Sequence, residues 1–134
     1  MSHAAIIAQY LADVSGNALT MGTNLFVGSE PKTPANVVTV YDTGGPAPNQ
    51  TMDGRCFICY PTIQIRVRHA SFLTGDTQAR ALLQEVRQIT HQTLSGTRYL
   101  GVFANSETIH LGKIDTNAGL AHVWTMNFRI ILEE

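Results

Sequence analysis

Hydrophobic positions in the first fifteen residues recur with the period of a helix. Ile6, Ile7, Tyr10, Leu11 and Val14 form one stripe, Ser2 precedes it as a candidate N-cap, and Gly16-Asn17 follows as a stop. Leu25-Phe26-Val27-Gly28 is then a short strand, closed by the breaker Pro31-Lys32-Thr33-Pro34, and the β-branched run Val37 to Asp42 is a second strand. Thr43 to Arg55 has no period. Its prolines and glycines exclude both helix and central strand, and a loop of such length in a small domain usually carries function.

The third strand alternates strictly. In Thr62 to His69, Ile63, Ile65 and Val67 point one way, and Gln64, Arg66 and Arg68 the other. A long helix is expected from Asp76 (or Thr74) through Leu94, with Ala79, Leu82, Leu83, Val86, Ile89 and Thr93 as its apolar stripe and Ser95-Gly96 as its end. Tyr99 to Phe103 and Thr108 to Ile114 are short strands, and Asp115 to Gly119 is a turn. In the last strand, His122 to Leu132, Trp124, Met126, Phe128, Ile130 and Leu132 share one face, and Val123, Thr125, Asn127, Arg129 and Ile131 the other. The order α, β, β, β, α, β, β, β predicts an α+β fold: an antiparallel or mixed sheet with two helices packed on one face.

Length and charge narrow the function. The 134 residues fit one domain, residues 1–134, able to bury its own core. Only 14% of residues are charged, well below the roughly 25% usual for soluble domains, so neighbours are expected to cover part of the surface. A formal net charge of -1 argues against a strongly basic nucleic-acid binder. No apolar run approaches the roughly 18 residues of a membrane span, and the first residues do not read as a secretory signal.

Candidate chemistry is thin. Cys56 and Cys59 form one C-x-x-C, compatible with a redox pair or half a zinc site, but their flanks read as extended chain rather than a helix N-terminus. They are expected to be structural or inert, two reduced thiols suited to an intracellular setting. Asp42 and Asp53 bracket the long loop without the alternating acidic ligands of a calcium loop. His110 and His122 could meet across a hairpin, whereas His91 falls off the helical stripe and is expected in solvent. No catalytic residue, cofactor or metal site is expected. The face bearing Gln64, Arg66 and Arg68, joined by Arg129 and Asn127 if the strands are neighbours, is either an ordinary wet surface or an arginine-rich contact surface.

The ordered set Leu25 to Gly28, Val38 to Pro46, Pro61 to Arg68, the helix after Asp76, and Leu111 to Gly119 leading into Met126 to Ile130 resembles the tail-terminator or minor capsid proteins of long-tailed bacteriophages. The Cys56-Phe57-Ile58-Cys59 run is a departure from that pattern. The resemblance implies a structural virion protein, not an enzyme. It implies a six-membered ring at the head-proximal end of the tail tube, in contact with the tube protein and a head-completion or connector protein. Genomic double-stranded DNA would pass through the lumen without specific binding, and no membrane would be involved. On this reading Gly44, Gly45, Pro46, Pro48 and Asn49 of the loop, with Gln64, Arg66, Arg68 and Arg129 of the sheet, are candidate interface residues. A head-tail connector or tube subunit is the alternative, and a ligand-binding or thiol-dependent domain a further one.

Overall fold

A computed structural model describes residues 2–32, 34–46, 58–116 and 119–133. Helix α1 (His3–Asp13) opens on Ser2, whose Oγ accepts from the Ala5 amide at 3.1 Å, as the sequence predicts. Its end is held by Asn17, which donates both to the Leu11 carbonyl (3.0 Å) and to Glu85 of the second helix (2.6 Å). The left-handed residue after the short 3-10 turn is Ala18, with φ 52°. The Asp42 carboxylate accepts from the Ala4 amide at 3.0 Å, placing negative charge at the positive end of this helix.

The strands are β1 (Leu25–Val27), β2 (Val37–Gly44), β3 (Ile58–Cys59), β4 (Thr62–His69), β5 (Thr90–Leu94), β6 (Thr97–Ala104), β7 (Ile109–Thr116) and β8 (Gly119–Glu133). They form one mixed sheet in the order β1-β2-β4-β8-β6-β5, with β3 and β7 also paired to β8. Among the described strand pairs β1–β2 alone is parallel. Helix α2 (Phe72–Arg87) packs with α1 on one face, over a core that includes Ile7, Leu11, Ile65, Leu82, Trp124 and Phe128. The expected α+β class is therefore observed, with the mixed option realised.

Two expectations about the second helix are corrected. It begins at Phe72, where Ser71 Oγ accepts from the Thr74 amide, and Asp76 instead pairs with Arg80 one turn on at 3.0 Å. It ends at Arg87, and Thr90 to Leu94 is a strand. Helical periodicity through Ile89 and Thr93 is outweighed by β-branched residues that can pair with β6 across a two-residue turn. Ser95 (φ 49°) and Gly96 (φ 81°) both take positive φ there, the backbone of a type I′ hairpin. His91 is exposed as expected, but on this strand.

One glycine sets the helix–sheet distance. Gly75 is buried in α2, and a Cβ there would collide with the Trp124 ring and sit 2.7 Å from the His69 Cβ. Alanine would gain helix propensity of about 1 kcal/mol, but overpacking a filled core typically costs 1–3 kcal/mol. Gly75→Val, which enlarges the clash without alanine's propensity gain, is expected to lower the denaturant midpoint by the equivalent of about 3 kcal/mol, measured by urea unfolding followed by Trp124 fluorescence.

Candidate interaction surface

The parallel β1–β2 pair leaves the chain a problem of connection. After Val27 it must travel back the length of the strand before β2 can run in the same direction, a task usually given to a helix. Here the described residues 28–32 and 34–36 make the return as an irregular strap anchored on the sheet face away from the helices. Arg68 holds it: Nη2 donates to the Pro34 carbonyl at 2.6 Å and Nε to the Ala35 carbonyl at 3.1 Å. Asn36 Oδ1 accepts from the Ala70 amide at 2.9 Å. Glu30 approaches Arg66 Nε at 3.3 Å and Arg68 at 3.9 Å. The Arg66 contact is an ion pair without hydrogen-bond alignment, so Arg66 Nε and Glu30 Oε1 stay unbonded. Burial, and next the Glu30 carboxylate, push the Tyr41 phenol above its ordinary value.

The expectation of a wet face is corrected at its centre. Arg68 is 3% exposed and is committed to the chain's own carbonyls, whereas Arg66 keeps 29% exposure. Gln64 is half-buried, its Nε2 donating to Asn127 Oδ1 at 3.1 Å across the β4–β8 register pair. Arg129 is exposed and lies over the Phe103 ring, 5.5 Å from its centre. The sheet does bring Gln64, Arg66, Arg68, Asn127 and Arg129 to one face.

Of the loop candidates, Gly44, Gly45 and Pro46 are exposed beside that face, and Pro48 and Asn49 lie outside the described residues, as do Asp53 and Cys56. Gly45 (φ 105°) brings the chain so near β4 that a Cβ would collide with the Tyr60 carbonyl and lie 3.2 Å from the Thr62 amide. Cys59 sits in β3 and is disulfide-bonded, which corrects the expectation of two reduced thiols. Among the described residues no three His, Cys, Asp or Glu side chains are grouped to hold a metal. No helix among them is long and apolar enough to cross a membrane.

The helix-covered face carries a cluster that periodicity did not reveal. Phe72, His110, His122 and Trp124 pack ring to ring with centroids 5.1–5.9 Å apart. His110 Nε2 and His122 Nδ1 are 3.1 Å apart, so the two histidines do meet across the hairpin. Their alternation on adjacent strands was the available signal; the arrival of Phe72 from α2 had none.

The chain matches the family described as "Bacteriophage tail terminator protein" over residues 8–134. It belongs to that family. Comparison with curated proteins finds no match. The tail terminator family is a family of structural phage tail proteins. An arginine that fastens a strap then serves shape.

Two measurements test this account of the face. Arg68→Met removes the donors for two backbone carbonyls and leaves Glu30 underpaired, so it is expected to cost about 3 kcal/mol in chemical denaturation. Arg129→Ala, at an exposed ring contact, is expected to cost about 0.5 kcal/mol. The histidines make stability depend on pH. His3 and His69 are lowered from the ordinary 6.5 chiefly by desolvation, and His122 by desolvation, then Lys113 and His110. The unfolded chain therefore takes up these protons first, and their contribution is full above pH 7 and lost as pH falls below about 6.5. The melting temperature is expected to drop between pH 7 and pH 5, with a shallower slope in His69→Gln.

Proposed function

We propose that this chain forms a closed ring at the head-proximal end of a phage tail tube, ends tube polymerisation there, and presents a surface to the head-completion proteins. The observation that carries this reading is the family match over residues 8–134. A job of this kind needs geometry: a heterologous contact whose rotation closes after a fixed number of copies, six for a sixfold tube. What supports the reading in the fold is a cross-paired sheet whose two central strands carry Gln64, Arg66 and Arg129 on the face away from the helices, with Gly44, Gly45 and Pro46 exposed beside it. A net charge of -1 suits a lumen through which DNA slides without being held.

The loop that begins at Gly44-Gly45-Pro46 contacts the tube or the adjacent subunit, with Pro48 and Asn49 within it. On the sheet face, Arg66, Gln64 and Arg129 are the polar groups a neighbour could reach, and Arg68 supports them from beneath.

Deleting residues 46–52 is expected to leave the circular dichroism spectrum unchanged while abolishing capping of purified tail tubes, scored by electron microscopy. A deletion variant that caps normally removes the loop from the contact. Overexpressed protein forming long tubes on its own favours a tube subunit over a terminator.

A further inference from the structure

We infer that His110 and His122 form a two-nitrogen chelate for a divalent transition-metal ion of the zinc and copper class, closed across the β7–β8 pairing on the helix side of the sheet. Such a site stands whether or not the chain forms a ring.

A register shift builds the pair. From Asp115–Leu120 to Gly112–Val123 the two strands pair regularly, and between His110 and Gly112 one residue is left over. Without that residue Leu111 would oppose Trp124, and His110 would oppose Thr125 on the face away from the helices. With it, His110 opposes Trp124 and joins His122 on the helix side, while Leu111 is turned out to 58% exposure. Bulges re-aim a side chain at the expense of regular pairing, and they concentrate at sheet edges and beside functional sites. Gly112 takes φ 106° in making this one.

The nitrogens are spaced for an ion. His110 Nε2 and His122 Nδ1 are 3.1 Å apart. Metal–nitrogen bonds of about 2.0–2.1 Å put neighbouring ligands roughly 2.9 Å apart in a square plane and about 3.3 Å apart on a tetrahedron. The pair falls between the two. In the hydrogen-bonded pair one ring donates to the other; chelation moves that proton to the donor ring's remote nitrogen. Two lone pairs then face the ion, with no net proton released.

The rings are held before an ion arrives. Phe72 meets both edge to face, with centroids 5.1 Å from His110 and 5.4 Å from His122, and Trp124 lies 5.2 Å and 5.9 Å from them. This packing removes side-chain freedom that binding would otherwise have to freeze. His110 is exposed and His122 half-buried, so the ion enters from solvent. Desolvation, then Lys113 and His110, hold His122 below the ordinary 6.5 and keep it neutral at pH 7, the form a metal binds. Lys113 opposes His122 in the β7–β8 register, but it is exposed and water screens its charge. His69, opposite His122 on β4, is occupied, its Nδ1 accepting from the Ser71 amide at 2.9 Å. Among the described residues no group of three His, Cys, Asp or Glu gathers here, so water completes the coordination. With imidazole ligands alone, Cu²⁺ binds more tightly than Zn²⁺.

The test titrates the full chain, without a polyhistidine tag, with CuCl₂ and with ZnCl₂ at pH 7.5. Trp124 is the sole tryptophan and packs on the pair, so Cu²⁺ is expected to quench its fluorescence saturably at one ion per chain. Excess Zn²⁺ is expected to raise the melting temperature. His110→Ala and His122→Ala, at unchanged circular dichroism, are each expected to weaken the quenching at least tenfold and to abolish the Zn²⁺ shift. Quenching and shift retained in both variants would place the metal elsewhere and overturn the chelate. A wild-type chain whose fluorescence and melting temperature neither ion changes would do the same. A readout that needs no variant is the imidazole nitrogen NMR spectrum of the wild-type chain. Zn²⁺ is expected to move His110 Nε2 and His122 Nδ1 more than the nitrogens of His69 and His91, and equal or larger movement at His69 or His91 would overturn the assignment.

Discussion

Fifteen consecutive residues, Gly119 to Glu133, hold pairing partners along both edges, and the rest of the molecule is arranged around that strand. On one side β8 pairs with β3 and β4, on the other with β6 and β7. Residues 105–108 interrupt the second side, where the Asn105 amide still donates to the Asn127 carbonyl at 2.9 Å. Trp124 to Leu132 supply the buried face against the helices, while the first three residues lie beyond the end of the β4 ladder and pair with β7.

A second constraint comes from direction. Because β1 runs parallel to β2, residues 28–36 must cross back, and the fold fastens that crossing to the sheet with a nearly buried guanidinium. Arginine suits the position because its donors diverge: Nε and Nη2 reach two successive carbonyls while Nη1 faces Glu30. A lysine would offer a point charge and lose that fork. The face that would otherwise be free sheet is therefore partly occupied by the chain itself, and what stays accessible on it is Arg66, Arg129 and the chain at Gly44 to Pro46.

The two faces thus divide the work. One packs the helices and carries the ring cluster of Phe72, His110, His122 and Trp124; the other is shaped by the strap. The consequence, in a member of the tail terminator family, is a subunit with two unlike faces.

Much of this was legible from residue order. Ser2 as a cap, the two-faced alternation of β4 and β8, and the α+β class follow from local periodicity and short-range hydrogen bonding, which do not depend on distant parts of the chain. The pairing of His110 with His122 was also within reach, because a hairpin brings near neighbours together. Tertiary structure alone decided three things. Thr90 to Leu94 became a strand since β6 offered a ladder across a tight turn, against a helical stripe of equal local merit. Arg68 was withdrawn from the surface since a parallel pairing forty residues upstream sent a strap across it. Phe72 came to pack on His110 and His122 since α2 starts over that end of the sheet. Each depends on which strand lies beside which, and alternation along one segment carries no record of its neighbours.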